Sequence, residues 1–508
     1  MRNRIKPVAV RVEHFVGSRK PKVILLIILS FSLLLRIPKI GSRSIWYDDV
    51  FSIFLSQQTP TKIISGTAPD TNPPLYYFLM HGWMLINQQI WFLRAQNVII
   101  SLGIVALVYA VSKRCFGQSA GVLAAVFTAV SPLQIYYAQE LRMYALAALV
   151  LLGYSYFFLQ LWDERNSKHN PWVNWLGLIL LGSISVYTQS LAIFSIVVPN
   201  LILIFHRKWR FLVRLILAQM VIGLLSSPWL VFVPGQIDKI QTAFWTPQPG
   251  LLPIIQAIVA FHTNLPVPEW MLPIAMFTSF LMFVLVFYET IKTGKLNSAV
   301  TALLAFTLIP PLLLFIISYF MQPIFVPKAF MLSSLTYYAL AGRAVSMMRS
   351  RVLVLAMILI FILPALAVLP AQYAYENFPR SPFEAAAKAL KLSFSNGDVI
   401  IHDNKLSHFP MHYYQIQLPQ AFIADLPGSH NDTLALGSQI AMNIFPSLDM
   451  ETAVGDAKHV WFVVFERAIK EYIQLGQSDH PKLAWLSERF DLFGVRKFND
   501  LWIYEFNR

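Results

Sequence analysis

The sequence predicts a polytopic α-helical membrane protein carrying a small α/β domain at its C-terminal end. Three observations predict it. Of 508 residues, 56% are hydrophobic and only 13% are charged, where soluble domains carry roughly 25%. The shortage of charge is concentrated before residue 371, where apolar runs of about 17–23 residues recur, the length a helix needs to cross a bilayer. Past residue 371 the pattern changes to short apolar runs of strand length separated by polar turns.

The apolar runs place spans at 23–40, 92–112, 118–133, 142–162, 172–187, 190–206, 211–233, 270–291, 298–320, 329–346 and 352–370. The first run begins at Val23 and is not followed by a small-residue cleavage site, so it is expected to stay as a span. The segment 73–87 is apolar but only about 15 residues long, opened by Pro73-Pro74 and interrupted by His81; it suits a re-entrant or interfacial helix better than a span.

Charge supports that choice. If 73–87 stays on one side, the basic tail and the groups Lys113/Arg114, Arg165/Lys168, Arg207/Lys208/Arg210, Lys292/Lys295 and Arg343/Arg349/Arg351 all fall in the cytoplasm. The opposite loops then hold little beyond Arg43, Lys62, Arg142, Lys239 and Lys328. Basic loops mark the cytoplasmic side. The expected organisation is therefore a cytoplasmic basic tail (1–22), a membrane region (23–370) whose first external loop is 41–91, and an extracytoplasmic domain (371–508). The net charge of +14 is accounted for by these loops, and no nucleic acid is expected as a partner.

In the C-terminal part, 398–402, 459–465 and 501–506 read as strands and 383–392 as a helix. His402, His408, His412 and His430 match no zinc spacing. The lone Cys115, after Lys113-Arg114, allows no intrachain disulfide.

Polar residues gather on the expected external face. Asp48 and Asp49 follow span 1, and Asp70 and Asn72 precede the Pro-Pro helix. Glu140, Arg142 and Tyr144 begin span 4, and Lys328 precedes span 10. Gln189 sits at a loop tip and reads as structural. A shielded carboxylate has a raised pKa and can take a proton from a hydroxyl. Arginine and lysine at the same depth can hold a phosphate. That combination suits group transfer from a lipid phosphate to a hydroxyl.

The order of these motifs resembles the GT-C class of lipid-sugar-dependent glycosyltransferases. The bacterial branch related to protein O-mannosyltransferases and lipid A aminoarabinose transferases (families 39 and 83) is most similar. Its acidic pair matches Asp48-Asp49, its Asp-x-His-Pro-Pro-Leu-Tyr segment matches 70–76, and its Gln-Glu-x-Arg-x-Tyr segment matches 139–144. The resemblance implies an inverting transfer from a polyprenyl-phosphate sugar to a hydroxyl acceptor at a bacterial plasma membrane. It implies Asp48 as base, and Asp49, Asp70, Asn72, Glu140, Arg142, Tyr144 and Lys328 as substrate-binding residues. It implies no obligatory cofactor, with a divalent metal at the carboxylates left open. Asn72 replaces the usual histidine and Asp49 the usual glutamate. A transporter of lipid-linked sugars is the alternative, disfavoured because the charges cluster at one face and no repeat is visible.

Overall fold

The computed structural model describes residues 21–162, 171–243, 245–292, 298–477 and 479–508. Most of the basic N-terminal tail, with Arg165, Lys168 and Lys295, lies outside the described residues. Each expected span is helical: Pro21–Arg36, Ile90–Phe116, Gln118–Val130, Tyr144–Trp162, Pro171–Thr188, the broken run Ser190–Phe205, Trp209–Leu230, Leu272–Lys292, Ser298–Ile317, Met331–Met347 and Arg351–Tyr373. Among the described residues, six helices are long and apolar enough to cross a membrane on their own. Gln118–Val130 and Pro132–Ala138 make a seventh if taken together, bent by 59° at Ser131. Pro132 begins the new helix and Ser131 caps it by accepting from Gln134 N–H, so the break has a local cause.

Met331–Met347 is the central helix, buried continuously from Met331 to Val345. It packs on Gln118–Val130 at a contact of small residues. A Cβ on Gly342 would sit 2.6 Å from Ala120 O and 2.8 Å from Ala124 N. Close backbone approach of this kind is how membrane helices gain packing without a hydrophobic drive between them. Outer helices such as Trp209–Leu230 leave Leu217, Met220 and Leu224 exposed, as lipid-facing surfaces do.

The segment 73–87 forms the helix Leu75–Met84, ten residues and about 15 Å long, too short to cross. Two helices precede it, Tyr47–Ser56 and Pro60–Thr67. Two more follow the span Trp209–Leu230 without having been expected: Val233–Ala243 and the apolar Leu251–Thr263.

The C-terminal region carries a five-stranded sheet. Its strands are β1 (Asp398–His402), β2 (Gln420–Phe422), β3 (His459–Phe465), β4 (Asp491–Phe498) and β5 (Leu501–Asn507). The order is β2-β1-β3-β5-β4, parallel among the first three and antiparallel across β3-β5-β4. β3 is central and buried from Val460 to Phe465, hence its unbroken apolar sequence.

This region grips the first loop of the membrane part. Helix Lys405–Tyr414 lays Phe409 against Tyr47 (ring centroids 5.0 Å) and Phe54 (5.9 Å). Helix Leu436–Met442 crosses Pro60–Thr67 with Ser438 Oγ donating to Gly66 O at 2.7 Å. A Cβ on Gly437 would lie 2.8 Å from Ser65 O, so the crossing needs glycine there.

Candidate active site at the acidic helix

The helix Tyr47–Ser56 opens with two acids, favoured in a first turn by the helix dipole. Adjacent helical residues point about 100° apart, so the pair divides. Asp49 turns inward and is fully buried. Its Oδ2 accepts from Arg380 Nη1 at 3.0 Å and lies 3.5 Å from Arg94 Nη2, while its Oδ1 accepts from Leu141 N–H at 2.9 Å. Asp48 turns outward, its side chain 16% exposed, with Oδ2 3.9 Å from Arg142 Nε.

The loop that supplies Arg142 follows the short helix Pro132–Ala138, which begins at the break capped by Ser131 and ends at Gln139. Asn97 Nδ2 donates to Arg142 O at 3.1 Å, to Glu140 O and to Tyr76 OH at 3.0 Å. Gln139 Nε2 donates to Arg36 O and Pro38 O, both at 2.8 Å. The loop is thus held from both sides, and Arg142 Nη1 reaches Tyr77 OH at 3.1 Å.

Five further expected residues join Asp48 and Arg142. Asp70 is half-buried, accepts from Asn72 Nδ2 at 3.2 Å, and has its pKa raised by burial against the pull of Arg142. Glu140 is buried, and among the described residues its Oε2 has no hydrogen-bond partner. Burial, with Asp49 and Asp48 adding to it against Arg380, pushes its carboxyl up to about 7. Lys328 stands on the turn Pro327–Phe330 with Nζ 5.3 Å from the centroid of the Tyr144 ring. Burial works against its charge, but Tyr144 and Asp48 hold its pKa above the ordinary lysine value. Asp48, Asp70, Asn72, Glu140, Arg142, Tyr144 and Lys328 therefore come together, while Asp49 sits behind them in an arginine cage. Gln189 stays at the margin, where its neighbour Ser190 donates to Thr71 O at 3.2 Å.

The arrangement combines a partly exposed carboxylate with an arginine and a lysine, flanked by carboxyls with raised pKa. It can accept a proton and stabilise an anion within the same few ångströms. Guanidinium groups already face Asp49 and Asp48. Among the described residues no three histidine, cysteine, aspartate or glutamate side chains are placed to hold a metal ion. His402 instead contacts Ser407 Oγ and Gln420 Oε1, and His408 stacks on His412. A cavity of about 540 Å³, lined by Pro69, Val231, Phe232, Lys239 and Leu436 among others, adjoins the Asp70 turn.

Arg94 and Arg380 enclose Asp49, with Arg43 close to both. Arg94 had a signal, since an arginine inside an apolar span is costly unless used. Arg380 had none, because it lies past residue 371 and reaches the site only through the fold. Arg43 packs on the Tyr136 ring at 4.6 Å, and burial, with Arg380 adding to it, lowers its pKa to about 9.

Residues 71–232 match the family described as dolichyl-phosphate-mannose-protein mannosyltransferase. Comparison with curated protein sequences finds no match. Among solved structures, the chain is similar to ArnT from Cupriavidus metallidurans in the apo state. The TM-score is 0.62 at 12% identity, covering 95% of this chain and 98% of that one. The structure of the same ArnT bound to undecaprenyl phosphate matches with TM-score 0.62 at 12% identity, over 97% and 98%. The oligosaccharyltransferase AglB from Archaeoglobus fulgidus, in complex with an inhibitory peptide and a dolichol-phosphate, matches with TM-score 0.56 at 12% identity, over 95% of this chain and 74% of that one. The chain thus shares the fold of these ArnT and AglB structures over nearly its whole length, and residues 71–232 within it match the mannosyltransferase family model.

Proposed function

We propose that the protein transfers a sugar from a polyprenyl-phosphate donor to a hydroxyl acceptor, with inversion at the anomeric carbon and Asp48 as base. The observation that carries this reading is the pairing of Asp48, the exposed member of the acidic pair, with Arg142 at 3.9 Å, beside Lys328. Asp48 takes the acceptor's proton. The acceptor oxygen bonds to the anomeric carbon as the bond from that carbon to the phosphate oxygen breaks. The polyprenyl phosphate leaves as an anion held by Arg142 and Lys328. Asp70, Asn72, Glu140 and Tyr144 shape the sugar and acceptor positions. The donor class is supported by undecaprenyl phosphate in the ArnT structure and dolichol-phosphate in the AglB structure.

The reading extends to topology. The membrane region (23–370) sits in a bacterial plasma membrane with the N-terminus cytoplasmic, and the region 371–508 lies outside, over the site. Transport is disfavoured, because the charged residues stand at helix ends and in loops, whereas transporters bind at the midplane.

The test is purified protein in lipid, given a panel of polyprenyl-phosphate sugars and assayed for released polyprenyl phosphate. Release by the wild type that is lost in Asp48→Asn supports the reading. Full release by a folded Asp48→Asn protein would remove Asp48 as the base.

A further inference from the structure

The segment that links the helix Arg351–Tyr373 to the sheet region reaches back into the site. Arg380 is fully buried, and its Nη1 donates to Ser44 O at 2.9 Å and to Asp49 Oδ2 at 3.0 Å. The contact is doubled next door, where Ser44 Oγ donates to Ser381 O at 2.6 Å. The same segment is tied to the sheet, since Phe378 N–H donates to Asp500 Oδ2 at 2.8 Å, beside the β4–β5 turn. One guanidinium thus joins the acidic helix to the C-terminal region. Through Asp49, whose other oxygen holds Leu141 N–H, it also reaches the loop bearing Glu140 and Arg142.

The charges exceed what a simple ion pair requires. Asp49 has Arg94 and Arg380 on one oxygen, and Arg43 is close to both. The next acid to feel this surplus is Glu140, whose Oε2 is unpartnered among the described residues. Arg380 is the foremost group opposing burial there, ahead of Lys328, while Asp49 and Asp48 act in the other sense. Tyr136 and Tyr137, from the preceding short helix, face the same carboxyl.

We propose that Arg380 is a positioning residue for the transfer reaction, holding the Glu140–Arg142 loop in register with Asp48 through Asp49. The claim rests on the glycosyltransferase reading above and deepens it, because it makes the C-terminal segment part of the active site. Arg380 touches no reacting group; its effect passes through Asp49 and through the field at Glu140.

The experiment uses the full chain in lipid nanodiscs and compares wild type, Asp48→Asn, Arg380→Gln, Arg380→Lys, Asp49→Asn and Arg380→Gln/Asp49→Asn. Polyprenyl-phosphate release is measured against donor concentration and pH, with unfolding midpoints alongside. Arg380→Gln is expected to lower kcat by about 10- to 100-fold, the scale of a small misplacement, with KM for the donor within about twofold of wild type. Its pH profile should move to higher pH on the limb that follows Glu140, because the cation favouring the carboxylate is gone. Arg380→Lys keeps the charge and should keep that limb in place. The double variant should lose no more than the worse single variant, as expected when two residues act as one unit.

Multiplying losses in the double variant, or a folded Arg380→Gln protein with wild-type kcat and pH profile, would overturn the proposal. If Arg380→Gln does not fold, Arg380→Lys decides: a limb at the wild-type position supports the role and a displaced limb refutes it. A wild-type chain inert toward every donor would instead overturn the glycosyltransferase reading and this role with it. An active wild type with an unaffected Arg380→Gln overturns the role alone.

Discussion

Asp49→Asn and Asp48→Asn are adjacent, chemically identical changes, and the structure gives them opposite consequences. Asp49 is fully buried and is met by three donors: two guanidinium groups and the Leu141 N–H. An asparagine keeps one acceptor oxygen but turns an NH2 toward a donor and leaves both arginines without their counter-charge. Breaking a buried ion pair from one side costs about 3–5 kcal/mol. Asp48 is itself 16% exposed and has a single ion-pair contact, 3.9 Å from Arg142, so removing its charge should cost less than removing that of Asp49. Asp49→Asn should therefore lower the unfolding midpoint clearly, while Asp48→Asn should stay close to wild type and lose transfer activity. The assay is thermal or SDS unfolding of both variants in one detergent, paired with polyprenyl-phosphate release. Equal midpoints for the two variants would refute the division of the pair into a buried anchor and an exposed base.

Three further outcomes follow from the geometry. Lys328→Met and Arg142→Lys should each raise the donor KM or lower kcat by at least about tenfold in release kinetics, since each removes part of the proposed phosphate cradle. Gly342→Ala should cost about 1–3 kcal/mol, read as a lower unfolding midpoint, because its Cβ would meet the backbone of Ala120 and Ala124, which cannot rotate away. Glu140, pushed up to about 7 in the folded chain from an ordinary 4.5, favours the folded state when protonated. That stabilisation, of order 3 kcal/mol, is fully present below about pH 4.5 and is lost as pH rises through about 7. Glu140→Gln should flatten this part of a stability-against-pH curve.

Much of this was legible because the bilayer writes a strong signal. Ten of the eleven apolar runs are single helices, the run 190–206 is a broken one, and 73–87 forms a helix too short to cross. Adjacent motif residues also came together as expected, since Asp48, Asp70, Glu140, Arg142 and Lys328 all stand at one set of helix ends. What was not legible depended on partners far apart in sequence. The two acids of Asp48-Asp49 look alike in a string of letters, and only Arg94 and Arg380 distinguish them. β2 has three residues and β4 is an edge strand with alternating exposure, so neither carries the apolar run that marks β3. Val233–Ala243 is largely polar and Leu251–Thr263 is too short to register as a span.

The crossing of Gly66 and Gly437 has a consequence for biosynthesis. Ser438 meets Gly66 across 372 residues of chain, so the loop carrying the acidic helix emerges early but gains its outer wall only near the end of translation. Until then Asp49 also lacks Arg380. The membrane part is therefore expected to wait, unassembled around the acidic helix, until the C-terminal region is made. A chain stopped before residue 380 should leave 44–70 open to protease, and extending it past 442 should close that window. Competence would arrive late, when synthesis is almost complete.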